Sequence, residues 1–178
     1  ALWAEGDNTF GQLGTGNTQA ATKPTVVAQN VARVVAGPSF TFFITNDGAL
    51  WAMGRNTFGQ LGLGTTNTAV ATPVKVASGV THVAAGARHA AFIKADGTMW
   101  AMGSNYYGQL GDGSMETRLS PVKVADNVVA LAAGDYYSTF LAGVAPRIEI
   151  QPVGRAAVAG ESVSLSVAAS GSPVLNYV

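Results

Sequence analysis

Leu50-Trp51-Ala52-Met53-Gly54-Arg55-Asn56-Thr57-Phe58-Gly59-Gln60-Leu61-Gly62 is the middle of three copies of one pattern; the others run from Leu2 to Gly14 and from Met99 to Gly111. A period this long, kept with this fidelity, means one supersecondary unit repeated in tandem, so each residue is read first by its place in the unit. Trp3, Trp51 and Trp100 stand 48 and 49 residues apart, whereas Gly37, Gly86 and Gly134 stand 49 and 48 apart. The reversed order locates one inserted residue between Gly62 and Pro73, because Gly14 to Pro24 and Gly111 to Pro121 are each one residue shorter. A loop absorbs an extra residue, but in a strand the slip would turn every side chain to the opposite face. Residues 63–72 are therefore expected to be loop.

Within the second copy, Pro73–Val76, Val80–Ala84, Ala90–Lys94 and Thr98–Ala101 are short β-branched or aromatic runs punctuated by glycine. Asp47-Gly48 and Asp96-Gly97 sit between apolar runs, where a residue of positive φ makes a tight turn that matches strand twist. No stretch keeps a 3.6-residue apolar period. Four strands per unit of this length, with glycine and tryptophan at fixed places, predict the blade of an all-β propeller. Two complete blades and one split blade are expected, the split one divided between Leu2–Gly14 and Pro121–Leu141. Propellers hold about four to eight blades, so further blades are expected upstream of Ala1.

Only 11% of the 178 residues are charged, against roughly 25% in an ordinary soluble domain. Net charge is zero, and the ten Lys and Arg are scattered singly, which gives no electrostatic case for nucleic acid. No run approaches the ~18 apolar residues of a membrane span. The absence of cysteine excludes disulfides and thiolate metal sites.

The pattern changes after Leu141. Ile148-x-Ile150, then Val163, Leu165 and Val167 alternating with Ser162, Ser164 and Ser166, predict half-buried strands of an antiparallel sandwich. Residues 146–178 resemble the opening strands of a bacterial immunoglobulin-like domain, about a third of its usual ~100 residues. Two domains follow, 1–142 and 146–178.

The repeat Gly-x-Leu-Trp-x-x-Gly-x-Asn-x-x-Gly-Gln-Leu-Gly, followed by Pro-x-x-Val and Ala-Gly-x-x-His, resembles the regulator of chromosome condensation repeat. Gly48 to Gly62 and, with Met99 in place of the leading Leu, Gly97 to Gly111 carry the motif with the Asp-Gly turn included, and Leu2 to Gly14 carries it without that turn. The resemblance covers roughly residues 1 to 142 and implies a fragment of a seven-bladed propeller. It also implies either guanine-nucleotide exchange, the activity of the eukaryotic founder, or protein binding, the use many secreted bacterial members make of the fold. Three departures bear on the choice. Glu5, Met53 and Met102 replace the second Trp; the His is kept only at His89, with Phe40 and Tyr137 in its place elsewhere; and an immunoglobulin-like segment follows. That combination is similar to bacterial surface proteins.

The shared residues read as scaffold. Gly-Gln-Leu-Gly lacks the third glycine and following helix of a phosphate loop, so its glycines are expected to turn the chain while Leu13, Leu61 and Leu110 plug the space between blades. Trp3, Trp51 and Trp100 are expected to pack in the core, with a sugar-stacking role as the lesser reading. Asn8, Asn56 and Asn105 are expected to hydrogen-bond local backbone. His82 and His89 lie on different predicted strands with no carboxylate cluster, and no metal site is expected. Asp112-Gly113-Ser114 lacks the spaced acids of a calcium loop, and no nucleophile elbow or carboxylate pair is present. Neither a catalytic residue nor a cofactor is expected.

The varied residues carry the functional expectation. Between the Ala-Gly turn and the next strand the copies present Pro38-Ser39, Ala87-Arg88 and Asp135-Tyr136. A scaffold that holds loop geometry while changing loop side chains suits recognition, and Arg88, His89, Asp135, Tyr136 and Tyr137 supply the aromatic and Arg character of interface anchors. The expected function is non-catalytic protein binding by a secreted or cell-surface bacterial protein. Nucleotide exchange on a small GTPase, and a targeting or carbohydrate-binding appendage of an extracellular hydrolase, stand as the alternatives.

Overall fold

The computed structural model describes residues 1–143, 147–150 and 168–170, and every regular element among them is a β-strand. Alternation decides which way each strand faces, and here both faces of the central strands are apolar. The first complete sheet is formed by β3 (Val31–Ala36), β4 (Phe40–Thr45), β5 (Leu50–Gly54) and β6 (Val70–Ala77), in that order and antiparallel throughout. The second repeats it with β7 (Val80–Ala85), β8 (His89–Lys94), β9 (Met99–Gly103) and β10 (Arg118–Ala125). Two-stranded sheets flank these in sequence: β1 (Leu2–Gly6) with β2 (Ala21–Ala28), and β11 (Val128–Ala133) with β12 (Ser138–Ala142).

Among the described residues, three apolar cores lie between neighbouring sheets. Phe42, Ile44 and Leu50 of the first complete sheet meet Val80, Ala90 and Phe92 of the second, while Phe43, alternating with Phe42, turns the other way to join Leu2 and Met53. In β8, Ala90 and Phe92 face back and Ala91 and Ile93 face forward to Leu110 and Val128. Period-two alternation with both faces buried is why β4 and β8 read as continuous apolar runs.

The loops confirm the plug expected of the Gly-Gln-Leu-Gly leucines. Leu61 is fully buried in the core between the two complete sheets, Leu110 in the next, and Leu13 is buried as well. Asn56 is buried inside its loop, accepting from the Leu61 N–H at 2.9 Å and donating to the Thr65 carbonyl at 2.9 Å. Asn8 and Asn105 repeat the contacts with Leu13 and Leu110.

Three expectations need correction. The loop expected over 63–72 ends sooner, because β6 begins at Val70; a bulge lets the three residues Ala52 to Gly54 span Val74 back to Val70. Pro24, Pro73 and Pro121 are each the fourth residue of an outermost strand, where a missing N–H costs least. The proline strand is accordingly the last of its sheet, and the unit read from sequence straddles two sheets. The tryptophans are not core residues: Trp3 is 58% exposed, while Trp51 and Trp100 are half-buried at the core margin. Trp51 stacks on Phe43 with ring centroids 6.2 Å apart, and Trp100 lies under the Lys94 ammonium at 4.6 Å and donates from Nε1 to Thr98 Oγ1 at 2.9 Å.

The chain divides into two compact units, Ala1–Leu141 and Ala142–Val178. In the second, β13 (Arg147–Ile150) pairs antiparallel with β14 (Ala168–Ser170). The alternating Val163–Val167 run, and with it most of the immunoglobulin-like expectation, lies outside the described residues. Among the described residues no helix is long and apolar enough to cross a membrane.

Candidate binding face

Hairpin order places the β3–β4, β7–β8 and β11–β12 turns at the same strand ends as the Gly-Gln-Leu-Gly loops. Backbone hydrogen bonds tie the two sets together, from Arg55 N–H to the Ser39 carbonyl at 2.8 Å and from Ser104 N–H to the Arg88 carbonyl at 2.9 Å. The Asp-Gly turns occupy the opposite ends, where the Val80 N–H reaches the Gly48 carbonyl at 2.9 Å. Geometry is therefore uniform on this face, and chemistry is what differs.

Each turn is braced from within. The Gly37, Gly86 and Gly134 N–H groups donate to the carbonyls of Phe40, His89 and Tyr137, three residues on. The ring of that third residue then lies against its glycine. A Cβ at Gly37 would stand 2.7 Å from Phe40 Cζ, and one at Gly86 would meet the His89 ring and stand 2.6 Å from the Gly134 carbonyl oxygen. The spacing Ala-Gly-x-x-His is thus a packing motif, filled by whichever ring the copy carries.

That result removes His89 from the expected surface. Its side chain is fully buried and its Nε2 shares a 2.9 Å hydrogen bond with Ser138 Oγ of β12, so it joins two sheets. Burial pushes its pKa below the ordinary histidine value, partly opposed by the Tyr137 backbone. Arg88 and Asp135 are exposed, as are Tyr136 and Tyr137 at 48% and 62%.

The face holds a second set of residues that the sequence reading passed over. Phe10, Phe58 and Tyr107, the aromatic of each Asn-x-aromatic-Gly, reach toward the sheet that follows. Phe10 meets the Arg55 guanidinium at 5.0 Å, Phe58 meets that of Arg88 at 4.6 Å, and Tyr107 packs edge-on against Tyr136 at 5.4 Å. Their constancy had marked them as scaffold. Phe58 and Tyr107 touch a variable turn, whereas Phe10 touches the loop residue Arg55, a pairing that the sequence alone does not signal.

At one end of this row, Arg118 binds Asp112 at 2.7 Å and Glu116 at 3.3 Å. Burial of Asp112 works against its ionisation, but hydrogen bonds from Arg118 and Ser114 outweigh it and hold the carboxyl down at about 2. Among the described residues, no group of three or more His, Asp or Glu converges as a metal site.

The repeat profile of the regulator of chromosome condensation matches residues 1–44, 47–93 and 96–141, most of the chain and nearly all of the strands β1 to β12. The chain belongs to that repeat family. A second profile of the regulator of chromosome condensation repeat matches residues 31–60 and 80–109. Among solved structures, Prp20p from Saccharomyces cerevisiae matches with a TM-score of 0.70 at 21% identity, over 78% of this chain and 39% of that one. Human WBSCR16 matches with a TM-score of 0.65 at 23% identity, over 78% of this chain and 40% of that one. The chain thus spans about two fifths of their length, and the likeness establishes the propeller-blade fold. Prp20p was described with its binding to Gsp1p and histones, and in complex with Kap60. No curated protein matches the chain.

Proposed function

We propose that this chain is a non-catalytic protein-binding segment that recognises its partner through the variable turns, with Arg88, Asp135, Tyr136 and Tyr137 as the anchors. The observation that carries the reading is a constant scaffold presenting different exposed side chains at one set of strand ends. Use of this fold by Prp20p to bind proteins supports it in kind. Exchange on a small GTPase rests on the fold alone and is the weaker reading, as is a role as a hydrolase appendage.

The setting we propose is the outside of the cell or a bacterial surface, supported by the immunoglobulin-like pattern of residues 146–178 that follows the repeats. A parent reading frame with an export signal and surface anchor fits this, whereas one with a nuclear import signal contradicts it. A phage-displayed random peptide library panned on the chain tests the binding reading. Convergent peptides should lose affinity at least about tenfold on Tyr136→Ala, the loss expected when an aromatic anchor is removed. Peptides that bind the variant equally well would refute it.

A further inference from the structure

Two guanidinium groups flank one ring on this face. Arg88 Cζ stands 4.6 Å from the Phe58 centroid and Arg55 Cζ 6.0 Å from it, with Arg55 also 5.0 Å from Phe10. Both arginines line a single cavity of about 200 Å³ with Pro38, Phe58, Gln60 and Tyr136. Neither takes part in an ion pair among the described residues, where Asp112, Glu116 and Asp126 are the acids engaged. Arg55 spends its Nε on Thr57 Oγ1 at 3.0 Å, and Gln60 Oε1 is committed to the Phe58 N–H at 2.9 Å.

A guanidinium near an aromatic face still offers its N–H edge, a planar fork that matches a carboxylate. Two such forks beside one ring leave a positive slot in which, among the described residues, no carboxylate is ion-paired with either arginine, Asp135 on the adjacent turn included. We propose that this slot is a carboxylate site that receives an Asp or Glu side chain from an acidic segment of a protein partner. The inference rests on the protein-binding reading above and names the chemistry of the partner. A carboxylate fits better than a nucleic-acid phosphate. No lysine lines the cavity, the chain has no basic stripe to track a backbone, and the rings and Pro38 offer apolar walls to the methylenes of Asp or Glu.

Fluorescein-labelled oligo-Glu and oligo-Gln peptides, titrated by anisotropy into the whole chain, test this together with the Arg Nε–Hε resonances of Arg55 and Arg88. The oligo-Glu peptide should bind at least about tenfold tighter than oligo-Gln and move both resonances, with Arg88→Ala and Arg55→Ala each removing most of the difference. Arg88→Lys should recover only part of it, because the charge returns without the planar fork. Arg33→Ala, on exposed β3 away from the cavity, should change nothing. Unchanged thermal midpoints in the variants keep a binding loss from being a folding loss. Equal affinity for the two peptides, or an Arg33→Ala loss as large as that of Arg88→Ala, overturns the proposal. So does inorganic phosphate shifting both resonances when oligo-Glu does not. If oligo-Glu fails while library peptides still depend on Tyr136, the acidic partner is wrong and protein binding stands; if library selection also fails, both fall.

Discussion

Asn56 shows how one side chain can hold a whole connection. Its carboxamide accepts from Leu61 N–H and donates to Thr65, so the loop closes around a buried polar group while the Leu61 side chain enters the core. Asn56→Ala orphans a buried backbone donor and should cost ~1–3 kcal/mol, measurable by urea denaturation. Asn56→Asp keeps the acceptor but loses the donors and buries a charge, and should be at least as destabilising. His89 makes a comparable point in pH. Its folded pKa lies below its unfolded value because burial disfavours the cation. Its contribution is therefore complete above about pH 6.5 and declines as pH falls below that toward the folded pKa. His89→Phe, which copies the ring at Phe40, should abolish that part of the pH dependence in thermal melts between neutral pH and about 5; an unchanged slope would place the proton elsewhere.

At the scale of the element, the loop between β9 and β10 differs from its two counterparts by carrying its own ion pair. The Asp112 side chain is 3% exposed and bound by Arg118, and its carboxyl is held down at about 2. A depressed folded pKa stabilises above the unfolded value near 3.8, and the benefit disappears as pH falls through about 2. Wild type and Asp112→Asn should accordingly differ most above pH ~4 and converge near pH ~2 in chemical denaturation, while a constant gap would assign the loss to packing. Strand positions were legible in this sequence because alternation, Asp-Gly turns and the proline register mark them. Strand extents were not, because the bulge that lets β6 start at Val70 depends on pairing with β5. Trp51 was misread for a similar reason, since an invariant register does not say whether the position faces a core or its margin.

At the largest scale, cohesion within residues 1–141 resides between sheets. The three apolar cores each draw residues from neighbouring sheets, so stability passes from one sheet to the next as in other repeat arrays. Leu61→Ala should cost on the order of 2–5 kcal/mol. Because Leu61 packs with both complete sheets, hydrogen exchange should quicken in β4 and β8 together. Faster exchange confined to β4–β6 would show that the sheets are stabilised independently. The same organisation leaves the turns at the strand ends free to vary, since none of the turn pairs 38–39, 87–88 and 135–136 contributes to a core.

The repeat period, the all-β class, the inserted loop residue and the asparagine anchors were set by local chemistry, which recurs identically wherever the motif recurs. Tertiary structure decided which strands share a sheet, that His89 is interior while Tyr137 is exposed, and that Arg55 and Arg88 converge on Phe58. Those outcomes depend on what the adjacent sheet presents. Arg55 and Phe58 share the β5–β6 loop, whereas Arg88 lies in the β7–β8 turn, and only the packing of one sheet on the next brings Arg88 to that ring.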